Sequence, residues 1–76
     1  MELATTARTV KKERAERGLS LRDVAKRAKL TAQTVLMVEH GEASIAAAVR
    51  VMKALGIGSE RRVRVLTADV RELAAA

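Results

Sequence analysis

The chain contains no phenylalanine, tryptophan or tyrosine, no cysteine, no proline, and one histidine, His40. Each absence removes a class of chemistry. Without cysteine there are no disulfides, thiolate metal sites or cysteine nucleophiles, and one histidine cannot build a metal site alone. No metal or other cofactor is therefore expected. Without aromatics the core must come from Ala, Val, Leu, Ile and Met, and the base-stacking platforms of single-strand and RNA binders are missing. No apolar run approaches the roughly 18 residues that span a bilayer, and Met1-Glu2 does not open a signal peptide. The acids and His40 form no catalytic arrangement, and no glycine-rich loop offers to cradle phosphates. The expectation is a cytoplasmic protein that is not an enzyme and takes no membrane or small-molecule ligand.

What is present is a basic, helix-prone chain. Hydrophobic residues make up 49% of the 76. A chain of that length buries only about 60% of its unfolded surface, so its stability is marginal unless it oligomerises. Fifteen Lys and Arg against nine Asp and Glu give a net charge of +6. The excess is uneven, with nine basic and four acidic residues in 1–30 but six and five in 31–76. A positive field attracts polyanions, nucleic acids first and acidic membranes second. With no stacking aromatics, duplex DNA fits better than single strands or RNA. A basic solvated face without a partner is the plainer alternative.

Capping residues and glycines divide the chain. Residues 5–17 are rich in helix formers, with Thr6 a plausible cap, Val10 and Arg14 on one side, and Gly18 fitting the left-handed position that follows a helix. Ser20 can cap LRDVAKRAK, with Asp23 in its first turn and Leu21, Val24, Ala25 and Ala28 at helical spacing. Thr31 caps AQTVLMVE, which stops at His40-Gly41. Ser44 caps IAAAVRVMKAL, whose inner stripe reads Ile45, Ala48, Val49, Met52 and Leu55, ended by Gly56.

The tail after Gly58 allows two readings. Ser59 can cap a helix with Val63, Leu66, Val70 and Leu73 on one face, while RRVRVL alternates like a short strand with Val63 and Val65 on one side. The helix is the stronger of the two. Its apolar face suits dimerisation or the completion of a monomer core, and the expected division is a helix-turn-helix domain at 1–58 and a dimerisation element at 59–76. On that division, removing 59–76 leaves a folded domain that dimerises poorly.

The stretch 21–40 joins two short helices by a tight turn, with Ala25 where they approach, Leu30 at the junction and Val35 packing from the second. That is the spacing of a DNA-binding helix-turn-helix. RAERGLSLRDVAKRAKLTAQTVLMVEHG resembles the phage repressor and Cro family, also called the Xre family, through Arg14, Gly18-Leu19, Ser20, Ala25, Leu30, Thr31, Val35, Val38, Glu39 and Gly41. MKALG at 52–56 extends the likeness over about residues 6–57. The resemblance implies an all-α, lambda-repressor-like bundle of four to five short helices that binds double-stranded DNA, usually as a homodimer. It also implies a structural ion pair between Arg14 and Glu39. The chain departs from the family pattern at Leu21, where glutamine is common, and at Lys29, where the turn usually holds glycine.

On this reading Val35 and Val38 face inward and turn Ala32, Gln33, Leu36 and Met37 toward the major groove as base contacts. Gln33 can pair bidentately with adenine, and Ala32 or Met37 can meet thymine methyls. Arg22, Thr31, Thr34, His40 and Ser44 are the candidate backbone contacts, although capping alone explains Thr31, and His40 also suits the negative end of its helix. Lys26 and Arg27 read as solvated, and Arg8, Lys11 and Lys12 as long-range attraction. Arg61, Arg62 and Arg64 suit a solvated face as well as DNA. The expected function is a small dimeric repressor on a pseudo-palindromic operator, concentrated on the nucleoid. The apolar Leu36-Met37 pair sustains an alternative, a protein-interaction module such as an antitoxin or anti-regulator that binds its partner through the third helix.

Overall fold

In the computed structural model, which describes residues 2–75, five helices follow one another: α1 (Ala4–Glu16), α2 (Leu21–Ala28), α3 (Ala32–Glu39), α4 (Ile45–Ala54) and α5 (Ser59–Ala75), with no strand among the described residues. Side-chain caps start three of them. Ser20 Oγ accepts from the Asp23 amide at 3.0 Å while Asp23 Oδ2 accepts from the Ser20 amide at 2.9 Å, a reciprocal capping box at the head of α2. Thr31 takes the Thr34 amide at 3.1 Å, and Ser44 takes the Ala47 amide at 3.1 Å.

Helices α1 to α4 all end in the same way. Gly18, Lys29, Gly41 and Gly56 adopt φ of 64°, 57°, 75° and 76°. The next amide in each case, from Leu19, Leu30, Glu42 and Ile57, returns to Arg14, Ala25, Met37 and Met52 carbonyls at 2.9–3.2 Å. This is the Schellman closure, which satisfies carbonyls that a helix end otherwise orphans. Gly41 has a further constraint. Its carbonyl accepts from the Leu3 amide at 2.8 Å, and a Cβ there would sit 3.3 Å from that nitrogen.

The core is aliphatic. Val10, Val24, Val35, Val38, Val51, Met52 and Leu55 are fully buried, with Ala25, Ala28 and Ala48 where helices come close. In α4 the inward set differs from the expected stripe: Ile45 is exposed and Val49 only half-buried, while Val51 enters the core. Among the described residues no helix is long and apolar enough to cross a membrane.

Helix α1 corrects the expected cap. It begins at Ala4, before Thr6, and Leu3 at the cap position supplies no side-chain bond. The missing acceptor comes from α5. The Asp69 carboxylate takes the Thr5 amide at 2.6 Å, the Thr6 amide at 3.2 Å and the Thr6 hydroxyl at 2.5 Å, and Asp69 is 0% exposed. The amides of the second and third helical residues are the ones an N-cap side chain ordinarily satisfies, so Asp69 caps α1 from 63 residues away.

The tail is a helix, so the strand alternative falls, and Ser59 is its first residue rather than the cap before it. Val65 and Asp69 face the core, with Leu66 half-buried against it. The rest of the expected apolar stripe points away: Val63 is 62% exposed, Val70 57% and Leu73 38%. Residues 59–75 thus both complete the core and present an uncovered apolar face.

Candidate nucleic-acid interface

Helix α3 sits on the bundle through Val35 and Val38, both buried, and α2 crosses it through Val24, Ala25 and Ala28. The turn between them is a left-handed Lys29 followed by half-buried Leu30. Because valines lie three apart on α3, the opposite side of the helix is solvent-facing. There Gln33 is exposed, Leu36 is 38% exposed and Met37 40%. No side-chain hydrogen bond holds Gln33 among the described residues, which leaves its amide free for an external partner. Ala32 differs from its expected outward placement: it is half-buried and packs against the core.

The hydroxyls around the head of α3 are partly engaged. Thr31 Oγ1 caps the helix and lies 2.9 Å from Thr34 Oγ1. One hydroxyl proton fills that contact, so the pair retains one proton to donate outward. At the head of α4 the Ser44 oxygen accepts from Ala47, and its proton is likewise free of any partner among the described residues. Arg22, the second residue of α2, is exposed and unpaired among the described residues. His40 is exposed just past the end of α3 and donates its backbone amide to Leu36 and Met37.

What orients α3 is an ion pair. Arg14 Nε donates to Glu39 Oε2 at 2.5 Å and Nη2 to Oε1 at 3.0 Å, while Nη1 reaches the Leu19 carbonyl at 2.9 Å. The fork ties α1, the loop before α2 and the last residue of α3 into one unit. The Glu39 side chain is only 4% exposed. Its hydrogen bonds hold the Arg14 proton still more firmly than usual, against the opposing effect of burial.

Some basic residues have work elsewhere. Arg61 pairs with Glu13 at 2.6 Å, beside Arg17 on the same carboxylate. Arg62 donates to the Ile57 carbonyl at 2.7 Å. Neither arginine is a free solvated charge. Glu42 and Ile45 are both exposed around the head of α4, although Ile45 reads as a core residue when only its spacing is considered.

Two short helices crossing over a Schellman-closed turn, the second offering an unengaged face, define a helix-turn-helix DNA-binding fold. The helix-turn-helix family model matches residues 10–61, and the chain belongs to this family, of the Xre, Cro and lambda-repressor type, whose members are DNA-binding transcription regulators. No curated protein and no solved structure matches the chain.

Proposed function

We propose that the protein is a sequence-specific regulator that binds double-stranded DNA as a homodimer, inserting α3 into the major groove, and acts most simply as a repressor that covers a promoter. The observation that carries this reading is the free face of α3. Gln33 has an unengaged amide beside the exposed methyl-bearing Leu36 and Met37, a combination suited to adenine edges and thymine methyls. Arg22, the Thr31–Thr34 hydroxyl pair, His40 and Ser44 stand around that face as phosphate contacts that set its register. Ala32, half-buried, contributes less than Gln33.

The outer stripe of α5, Val63, Leu66, Val70 and Leu73, forms the dimer contact. Two such stripes in contact give the marginal core more apolar burial, and the two α3 helices then meet half-sites about 34 Å apart. A pseudo-palindromic operator follows from that two-fold symmetry.

The test is a titration of the DNA upstream of its own gene against a scrambled duplex at about 50 and 200 mM salt. Wild type is expected to prefer the upstream DNA by at least about a hundredfold, and Gln33→Ala with Arg22→Ala to abolish the preference. Equal binding to both duplexes that collapses at the higher salt would sink the reading. The exposed Leu36-Met37 pair supports one rival, a protein-binding α3. On that reading Leu36→Glu destroys a protein complex, and DNA affinity is weak and nonspecific throughout.

A further inference from the structure

The ion-paired cations of this molecule share one region, while unpaired ones occur throughout. Among the described residues, every ion-paired cation lies on α1, α5 or the residue after α1: Arg8, Lys12, Arg14, Arg17 and Arg61. Among the described residues none of the six Lys and Arg on α2, its closing turn and α4 has an ion-pair partner. Four of those six line one open cleft. Arg27 and Lys29, at the C-terminal end of α2, face Arg50 and Lys53, toward the C-terminal end of α4. Arg50 is fixed there by donating to the Lys29 carbonyl at 3.2 Å. The one acid on α2, Asp23, is at the opposite end of the helix, with its carboxylate engaged by the Ser20 amide.

We infer that this cleft is a second phosphate-binding surface, which takes the sugar–phosphate backbone of DNA outside the stretch read by α3. Position is the first argument. Arg22 and Ser44 stand at the heads of α2 and α4. The cleft lies toward the tails of the same two helices, roughly 8–14 Å away at 1.5 Å per residue. The phosphates it meets are therefore not those beside Arg22 and Ser44. Chemistry is the second. The apolar side chains that line the cleft are Ala28 and Ala54, so it offers a protein partner no large apolar or aromatic anchor. Closely spaced cations without acids or apolar anchors suit a phosphodiester chain, whose affinity comes from counterion release.

This inference rests on the DNA-binding reading and is separable from it by salt dependence. The probe is a labelled mixed-sequence duplex of about 40 base pairs, with affinity measured from about 50 to 300 mM salt. Arg27→Gln with Lys53→Gln removes two cations that are exposed and carry no hydrogen bond among the described residues. The slope of log affinity against log salt is expected to fall by about 2, at roughly 0.9 per lost phosphate contact. Lys11→Gln with Lys12→Gln removes the same charge from α1 and is expected to leave the slope nearly unchanged. Equal slopes for wild type and R27Q/K53Q, or equal losses in both double variants, overturn the inference while leaving DNA recognition by α3 standing. A wild-type chain that does not bind DNA overturns both. Retention of a second, free duplex by an immobilised complex, lost in R27Q/K53Q, places the phosphates on another molecule. A slope loss without such retention places them on the flank of the same one. Either result upholds the surface.

Discussion

Along α1 and α5 many polar side chains are turned on one another, whereas along α2 and α4 and on the outer face of α3 most are left to the solvent. Glu13 holds Arg17 and Arg61, Asp69 holds the head of α1, and Glu72 accepts from Thr5 at 3.0 Å and lies 3.6 Å from Arg8. On the other side Arg22, Arg27, Lys53 and Gln33 have no polar side-chain partner among the described residues. The charges of α1 and α5 thus serve the fold to an extent that those of α2 and α4 do not. That contrast is informative because a charge free of internal bonds can change without unfolding the chain, while a buried, multiply bonded one cannot.

The sharpest way to break the contrast is Asp69→Ala. It removes a buried carboxylate that serves two backbone amides and a hydroxyl, and leaves the buried Thr6 groups without partners. The expected cost is about 4 kcal/mol. Total stability for a chain of this length is about 4–11 kcal/mol, so the variant should melt roughly 16–32 °C lower than wild type in a circular-dichroism scan. Removing 59–76 deletes the same contact together with Val65, and is expected to unfold the domain rather than merely separate a dimer. Glu39→Ala comes next, at about 3 kcal/mol, since Arg14 keeps the Leu19 carbonyl and is partly hydrated. A melting temperature unchanged by either substitution would contradict the division of labour.

Those two contacts also show what the sequence could and could not disclose. The caps at Ser20, Thr31 and Ser44 and the left-handed position at Gly18 were legible because each is decided within five or six residues, whereas Lys29 stood out only against the family pattern. Arg14 and Glu39, 25 apart, were legible only through resemblance to a family. Asp69 was not legible. Thr6 reads as a local cap, and nothing nearby shows that its partner lies on another helix. For the same reason the apolar stripe of α5 was read correctly as a helical face while the buried side went unseen: it contains an aspartate, and periodicity counts polar residues as outward. On α3 the valine spacing revealed the exposed face, but the packing of Ala32 depends on neighbouring helices and could not be read from α3 alone.

A milder test uses pH. Hydrogen bonds from Arg17 and then Arg61 hold the Glu13 carboxyl below its ordinary value of 4.5, against the opposing effect of burial. Its pKa is lower folded than unfolded, so its stabilisation is present above the ordinary value and is lost as pH falls through the lowered one. The melting temperature should therefore drop on acidification from about pH 5 to 3. Glu13→Gln should lower it at neutral pH and flatten the acid drop. An acid drop of undiminished size in that variant would assign the effect to other carboxyls, such as Asp23, which its bonds to Ser20 also hold low.

The smallest expected effect separates the two halves most cleanly, because it has opposite signs for folding and for binding. Four helices close by the same motif, and three place glycine at the left-handed residue while α2 places Lys29. A side chain at that backbone conformation costs about 1 kcal/mol relative to glycine, partly offset by glycine's greater freedom when unfolded. Lys29→Gly should therefore raise stability by up to about 1 kcal/mol and keep the Arg50 bond, which is made to a backbone carbonyl. It also removes one cation from the cleft, so the salt slope of DNA binding should fall by about 0.9. A variant that is more stable and binds DNA less steeply with salt would show that the lysine is kept for its charge, against the preference of the turn. If the slope stays fixed as stability rises, Lys29 contributes nothing to DNA binding, and the cleft must act through Arg27, Arg50 and Lys53 alone.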